Sequence, residues 1–283
     1  RVTGKETSSI NGTLRVTPEG RANFYLLNPN GVLFGNGAQI DVPGDFHVTT
    51  AHFIKFQDGA RYSADAVHSK LSAANPSAFG FTGSSKGNNV LIEVKDGAQL
   101  SNPQDGPSAS SLDLVGQNIK VDSGGQVLAN DVRLVATKGT GSVTLERDRY
   151  GYLKLPTSMP TAATAGKVVI DGQDTAITSS SDGGGRVGIW GGNVNITNSA
   201  GIRITQTGNE NPSPSNGVTV KASSFRMANG GVVDLEKTSP GIPDNVYIHA
   251  AGNISVLSGS NIYNIGYYGK DGEIINGDIK MIS

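Results

Sequence analysis

The chain has 283 residues, 36% of them hydrophobic, with 39 glycines, no cysteine and a formal net charge of −1. The missing cysteines exclude a disulfide framework and Cys-based zinc sites, and a near-neutral chain without a basic block offers no electrostatic footprint for a nucleic acid. No apolar run reaches the roughly 18 residues of a transmembrane helix, so no transmembrane segment is expected.

In chain order, the first apolar elements flank a polar turn: Asn23-Phe24-Tyr25-Leu26-Leu27, then Asn28-Pro29-Asn30-Gly31, then Val32-Leu33-Phe34-Gly35. Pro fixes φ, Asn tolerates the left-handed region and Gly completes a tight turn between two strands. Short β-branched segments of period two follow at Val90–Val94, Ile119–Asp122, Val143–Glu146, Val194–Thr197, Ile202–Thr205, Val218–Lys221 and Val246–His249. Each is bounded by Gly, Asn, Asp or Ser, the pattern of strands buried on one face. The turns repeat as well, at Asn36–Ile40, Asp58–Tyr62, Asp96–Leu100, Ser123–Val127, Asn229–Val232 and Ser258–Ile262. Glycine supplies the positive φ that such turns need. Helical periodicity is nearly absent.

The spacing predicts a solenoid. Ile92, Leu112 and Val132 recur every 20 residues, Ile196, Phe225 and Ile254 every 29, and Ile202, Val232 and Ile262 every 30. Recurrence in step points to stacked coils, although strand spacing alone also permits a β-sandwich or an antiparallel barrel. The Asn209–Asn216 and Thr238–Asp244 stretches read as loops between coils. Arg147–Ala165 interrupts the rhythm and is expected to protrude as a loop or small hairpin. The fold class expected is all-β, a right-handed parallel β-helix with extra-helical loops or hairpins. Its expected divisions are 1–145, a protruding 146–165, and continuing coils over 166–283.

Catalytic and metal motifs are weak. Gly83–Gly87 matches G-x-S-x-G, but a strand follows where the nucleophile elbow needs a helix. Gly183–Gly188 matches G-x-G-x-x-G in letters only and also leads into a strand. Of His47, His52, His68 and His249, none has the partners of a metal site, and surface positions are expected. Asn193, Asn195, Asn253 and Asn261 suggest side-chain ladders from coil to coil. No catalytic residue, cofactor or metal is expected.

The Asn28–Gly31 stretch resembles the secretion domain of two-partner-secretion exoproteins of the filamentous-haemagglutinin type, also called the haemagglutination activity domain. That family's hallmark is an Asn-Pro-Asn-Gly turn flanked by apolar residues. Arg1–Gly4 and Ile10–Leu14 are similar to its lead-in, Gly35–Val42, Phe46 and Thr49–Ala51 to its continuation, and Ser72–Phe81 to a later segment. The similarity covers about residues 1–145. The resemblance implies a β-helix that crosses the periplasm unfolded and is exported by a partner outer-membrane β-barrel transporter. Folding outside is then expected to help draw the chain through, coil by coil. It also implies capping strands ahead of Arg1, with the chain read as a fragment or processed form. Asn28, Pro29, Asn30 and Gly31 are the candidate transporter-recognition residues, equally readable as a turn.

The function expected is a secreted or surface-held, adhesin-like exoprotein, monomeric, with a host or neighbouring-cell receptor or glycan as candidate ligand. Two alternatives share the fold. A polysaccharide-degrading enzyme would need a cluster of Asp, Lys or Arg at equivalent coil positions, which cannot be assembled here. The stem of a contact-dependent toxin would carry its toxic domain downstream.

Overall fold

The computed structural model describes all residues except 17–21, 66, 68, 84–89, 102–109, 182–184, 207–216, 238–243, 266, 269–273 and 276–277. The chain is an all-β parallel β-helix whose coils each contribute three short strands. In one coil, Leu91–Val94 turns through Asp96-Gly97 into Gln99–Leu100, and the chain returns along Ser111–Gly116. Asn118–Asp122 then opens the next coil, stacking parallel on Leu91–Val94, as Gln126–Leu128 stacks on Gln99–Leu100 and Asp131–Ala136 on Ser111–Gly116. Further on, the third strand of one coil and the first of the next fuse into the 12-residue strands Arg186–Thr197 and Gly217–Ala228.

Period-two alternation sends every second side chain inward, where residues of one coil lie on their equivalents in the next. Phe34, Val94, Val121, Ile170, Ile196 and Met227 form one such ladder, and each is fully buried. Each aliphatic rung contributes about 1.5–3 kcal/mol, but only because its neighbours exclude water above and below. The turn after the first strand repeats with both central residues at positive φ, as in Asp96 (55°) and Gly97 (73°), Asn229 (53°) and Gly230 (79°), and Ser258 (50°) and Gly259 (72°). These turns stack too: the Gly97 amide donates to the Ser123 carbonyl at 3.1 Å, and the Gly230 amide to that of Ser258 at 3.0 Å.

The expected coil spacings hold in kind and shift in register. Leu112 does lie on Val132, but Ile92 belongs to another face, between Val32 and Ile119. Phe225 lies on Ile254, while its partner in the preceding coil is Val194 and not Ile196. Ile202 and Ile262 meet Val233, not Val232. Val233 is fully buried and Val232 is half-buried, the expected consequence of a one-residue slip in a period of two.

Six of the seven predicted strands form and lie in the parallel sheets, while only the first half of Val143–Glu146 is strand. Val143, by contrast, belongs to Thr140–Thr144 in a separate four-stranded antiparallel sheet with Pro76–Thr82, Phe53–Phe56 and Arg61–Ser63. The turn Asp58-Gly59 connects two strands of this sheet and is no coil turn. The sheet covers the outer face of the third strands. Ile54, Phe79, Phe81 and Val143 pack there on Leu27, Val115, Val135 and Trp190, making a second core outside the helix. Phe46–Thr49, Ser111–Gly116 and Asp131–Ala136 are therefore buried on both faces.

The 146–165 segment closes a small hairpin at the Arg147–Leu153 bridge and then runs along the helix axis as a strap. Side chains of successive coils donate to its carbonyls. Arg133 Nη1 reaches Lys154 O at 2.8 Å, Trp190 Nε1 reaches Ser158 O at 2.8 Å, Lys221 Nζ reaches Pro156 O at 3.1 Å and Ser223 Oγ reaches Pro160 O at 2.9 Å. The loops predicted at 209–216 and within 238–244 lie almost wholly outside the described residues, as do His68, most of Gly83–Gly87 and the start of Gly183–Gly188.

Candidate functional site

Strand Phe24–Leu27 delivers the chain to Asn28, whose side chain is fully buried. Asn28 Oδ1 accepts the Asn30 amide at 2.9 Å, and the Gly31 amide donates to Asn28 O at 3.1 Å, so one residue closes both an Asx turn and a β-turn. Pro in the second position and Gly in the fourth suit this turn. Contrary to the expectation for asparagine, Asn30 stays out of the left-handed region, which Gly31 occupies at φ 110°. A Cβ on Gly31 would stand 2.9 Å from Leu91 O in the adjacent coil, so glycine also permits close stacking.

The turn fastens the preceding coil. Asn28 Nδ2 donates to Glu6 O at 3.0 Å and Ser8 Oγ at 2.9 Å, Asn30 Nδ2 donates to Gly4 O at 3.0 Å, and Thr7 Oγ1 donates to Asn30 O at 3.0 Å. On its other side the Asn28 amide donates to Thr49 O at 3.0 Å. Thus all four predicted residues come together, but in unequal roles. Asn28 is inaccessible, whereas Pro29 and Asn30 line an open groove of about 420 Å³ beside Val2, Gly4, His52 and Asp65. His52 accepts the Thr82 amide on Nδ1 at 3.2 Å, and partial burial lowers its pKa.

A second constellation was not legible in the sequence. Outward positions of successive third strands stack Tyr25 on His47, His47 on Asp113 and Asp113 on Arg133. The Tyr25 and His47 rings stack at 4.5 Å, and His47 Nδ1 lies 3.0 Å from Asp113 Oδ2. Arg133 grips Asp113 with two bonds of 2.8 Å and donates to Thr144 O at 2.9 Å. Asp113 and Arg133 are both fully buried. Burial pushes the Asp113 pKa up, but the Arg133 guanidinium and the His47 hydrogen bond outweigh it and hold it at about 2.

Two residues before Arg133 on the same strand, Asp131 accepts Arg186 Nε at 3.0 Å and the Leu153 amide at 2.9 Å. There burial outweighs Arg186 and raises the carboxyl pKa. At the rim, Arg147 binds Asp45 at 2.6 Å. His47, expected at the surface, is instead 2% exposed, because the antiparallel sheet roofs the strand that carries it. The one clue in the sequence was a charge inside otherwise apolar strands, Asp113 and Arg133, at equivalent positions 20 residues apart.

These ladders are structural in chemistry: the ions are paired with one another and walled from solvent. Among the described residues no three His, Asp or Glu side chains are arranged to hold a metal ion. Of the asparagines expected to ladder, Asn193 accepts from Ser224 Oγ at 3.1 Å and Asn261 Nδ2 donates to Gly259 O at 2.9 Å, while an asparagine pair forms elsewhere, Asn229 Nδ2 donating to Asn198 Oδ1 at 3.0 Å. No helix among the described residues is long and apolar enough to cross a membrane.

None of the curated proteins and none of the solved structures gives a significant match to the chain. The model of one family, described as the TPS secretion domain, matches residues 1–279 and so extends far past the residues that carried the resemblance. The chain therefore belongs to the TPS secretion domain family: it is the N-terminal domain of a two-partner-secretion exoprotein, recognised by a partner transporter and exported through the periplasm and across the outer membrane.

Proposed function

We propose that this domain addresses an adhesin-like surface exoprotein to its transporter, that Asn28–Gly31 takes part in recognition, and that the later coils begin a β-helical shaft. The observation that carries the proposal is the burial of Asn28. Its amide closes the turn and ties residues 4–8 to the next coil, so one tetrapeptide serves two states of the chain. Before folding it is an exposed extended signal, and after folding it is an internal clasp. Support for the shaft comes from the later coils, where Arg186–Thr197, Gly217–Ala228 and Asn245–Ala250 stack parallel and in register. In this reading the shaft is monomeric and displays a receptor- or glycan-binding surface away from the cell.

The test is export of the chain behind a signal peptide, with and without the partner barrel, for wild type, Asn28→Ala and Asn30→Ala. Wild type should reach the medium only with the barrel, and the variants should accumulate in the periplasm. Barrel-independent export, unchanged in the variants, would refute recognition through this turn.

A further inference from the structure

Each carboxylate of the outer ion ladder comes before its guanidinium in the chain, although His47, the other partner of Asp113, comes before it. Asp113 precedes Arg133 by 20 residues, Asp131 precedes Arg186 by 55, and Asp45 precedes Arg147 by 102. Strap carbonyls precede their donors in the same way: Leu153 is bound by Arg186, Ser158 by Trp190, Pro156 by Lys221 and Pro160 by Ser223. Arg133 has its own later requirement, because its guanidinium also needs the carbonyls of Thr144 and Lys154.

From this order we infer that the ion ladder is a folding gate, which holds the outer core under the antiparallel roof open until Arg133 and then Arg186 have joined the first coils. A solenoid without such a ladder can add coils one at a time. Here strand Ser111–Gly116 cannot lose its outer water while Asp113 has no guanidinium, since an unpaired buried carboxylate is strongly unfavourable. Strand Asp131–Ala136 brings that guanidinium but also brings Asp131, which must wait for Arg186. The antiparallel roof is completed only by Thr140–Thr144, which emerges after both aspartates. The outer core from Ala51 to Trp190 therefore closes as one block. The inference rests on the export reading in one respect. In a chain exported N-terminus first, the gate keeps the outer core open until residue 186 is outside, and its share of the pull of folding arrives as a late step instead of coil by coil.

The chain has no cysteine, so single thiol reporters can be placed in the full-length protein. Ala51→Cys reports on the early part of the outer core and Ala165→Cys on the part that closes last, and both wild-type side chains are buried there. Each is refolded from urea and pulsed with a thiol reagent at increasing times. With the ladder intact, the two sites should become protected with the same time constant. In D113L/R133M, which replaces the pair by apolar side chains, the Ala51 site should become protected several-fold sooner than the Ala165 site. Should that variant not refold, D113N/R133Q, which keeps polar groups without charge, is judged by the same criterion. Ala51 protection several-fold ahead of Ala165 in the intact chain overturns the gate, and so does unchanged simultaneity in the neutralised chain. Refolding needs no transporter, so failure here leaves the export reading standing, and failure of barrel-dependent export leaves the gate measurable.

Discussion

Replacing Asn28 by alanine removes a side chain that donates to Glu6 O and Ser8 Oγ and accepts from the Asn30 amide and, at 3.2 Å, from Asn30 Nδ2. Each such bond contributes roughly 0.5–1.5 kcal/mol net, and a buried partner left unmade costs more. The site is fully buried, so water cannot take over these roles without opening the turn. Four bonds, shared among three partners, give an expected loss of about 2–4 kcal/mol. Asn30→Ala, whose bond to Gly4 O is exposed, should lose about 1 kcal/mol. Urea denaturation followed by tryptophan fluorescence from Trp190 reads both, with the slope unchanged if the unfolded state is unaffected. A loss under about 1 kcal/mol for Asn28→Ala would refute the clasp. The same measurement separates the two roles of the turn. A variant that is stable yet not exported has lost recognition, and one that is exported normally but unstable has lost only the clasp.

Arg133→Met should destabilise the domain by about 3–5 kcal/mol, because Asp113 stays buried without its cation, whereas D113L/R133M should come within about 1 kcal/mol of wild type; equilibrium urea melts decide it. The pH dependence has a definite sign. The folded Asp113 pKa is depressed to about 2, so its contribution is complete above the unfolded value near pH 4 and disappears as pH falls through about 2. Wild type should lose about 2 kcal/mol over that interval in excess of D113L/R133M, measured by urea melts at each pH. Gly80→Ala should cost upwards of about 2 kcal/mol in thermal or urea unfolding, since its Cβ would overlap the Phe53 ring across the antiparallel sheet. Val233→Ala should cost about 2 kcal/mol and Val232→Ala under about 0.5, the reverse of the order expected from the 30-residue spacing.

Much of the architecture was readable because its causes are local. Val246–His249 alternates in period two, and Asn229-Gly230 and Ser258-Gly259 take the left-handed backbone that such sequences favour. Asn-Pro-Asn-Gly is likewise a turn by its own chemistry. Its neighbours could not be read the same way. Residues 4–8 meet Asn28 only after a coil has closed, so nothing in the tetrapeptide announces that its first residue is internal.

The sequence by itself determined most of the coil strands, their turns and the family. Tertiary structure alone decided which coil positions stack, because the excursions at 53–82 and 140–165 add lengths that a local pattern does not reveal. Only the folded molecule, too, could assign His47, Asp113 and Arg133. Alternation in a strand says that two faces differ, but whether the second face meets water depends on what the rest of the chain lays over it. Here the antiparallel sheet and the strap cover it, and charges that would be solvated on an open coil become a buried ladder of paired ions.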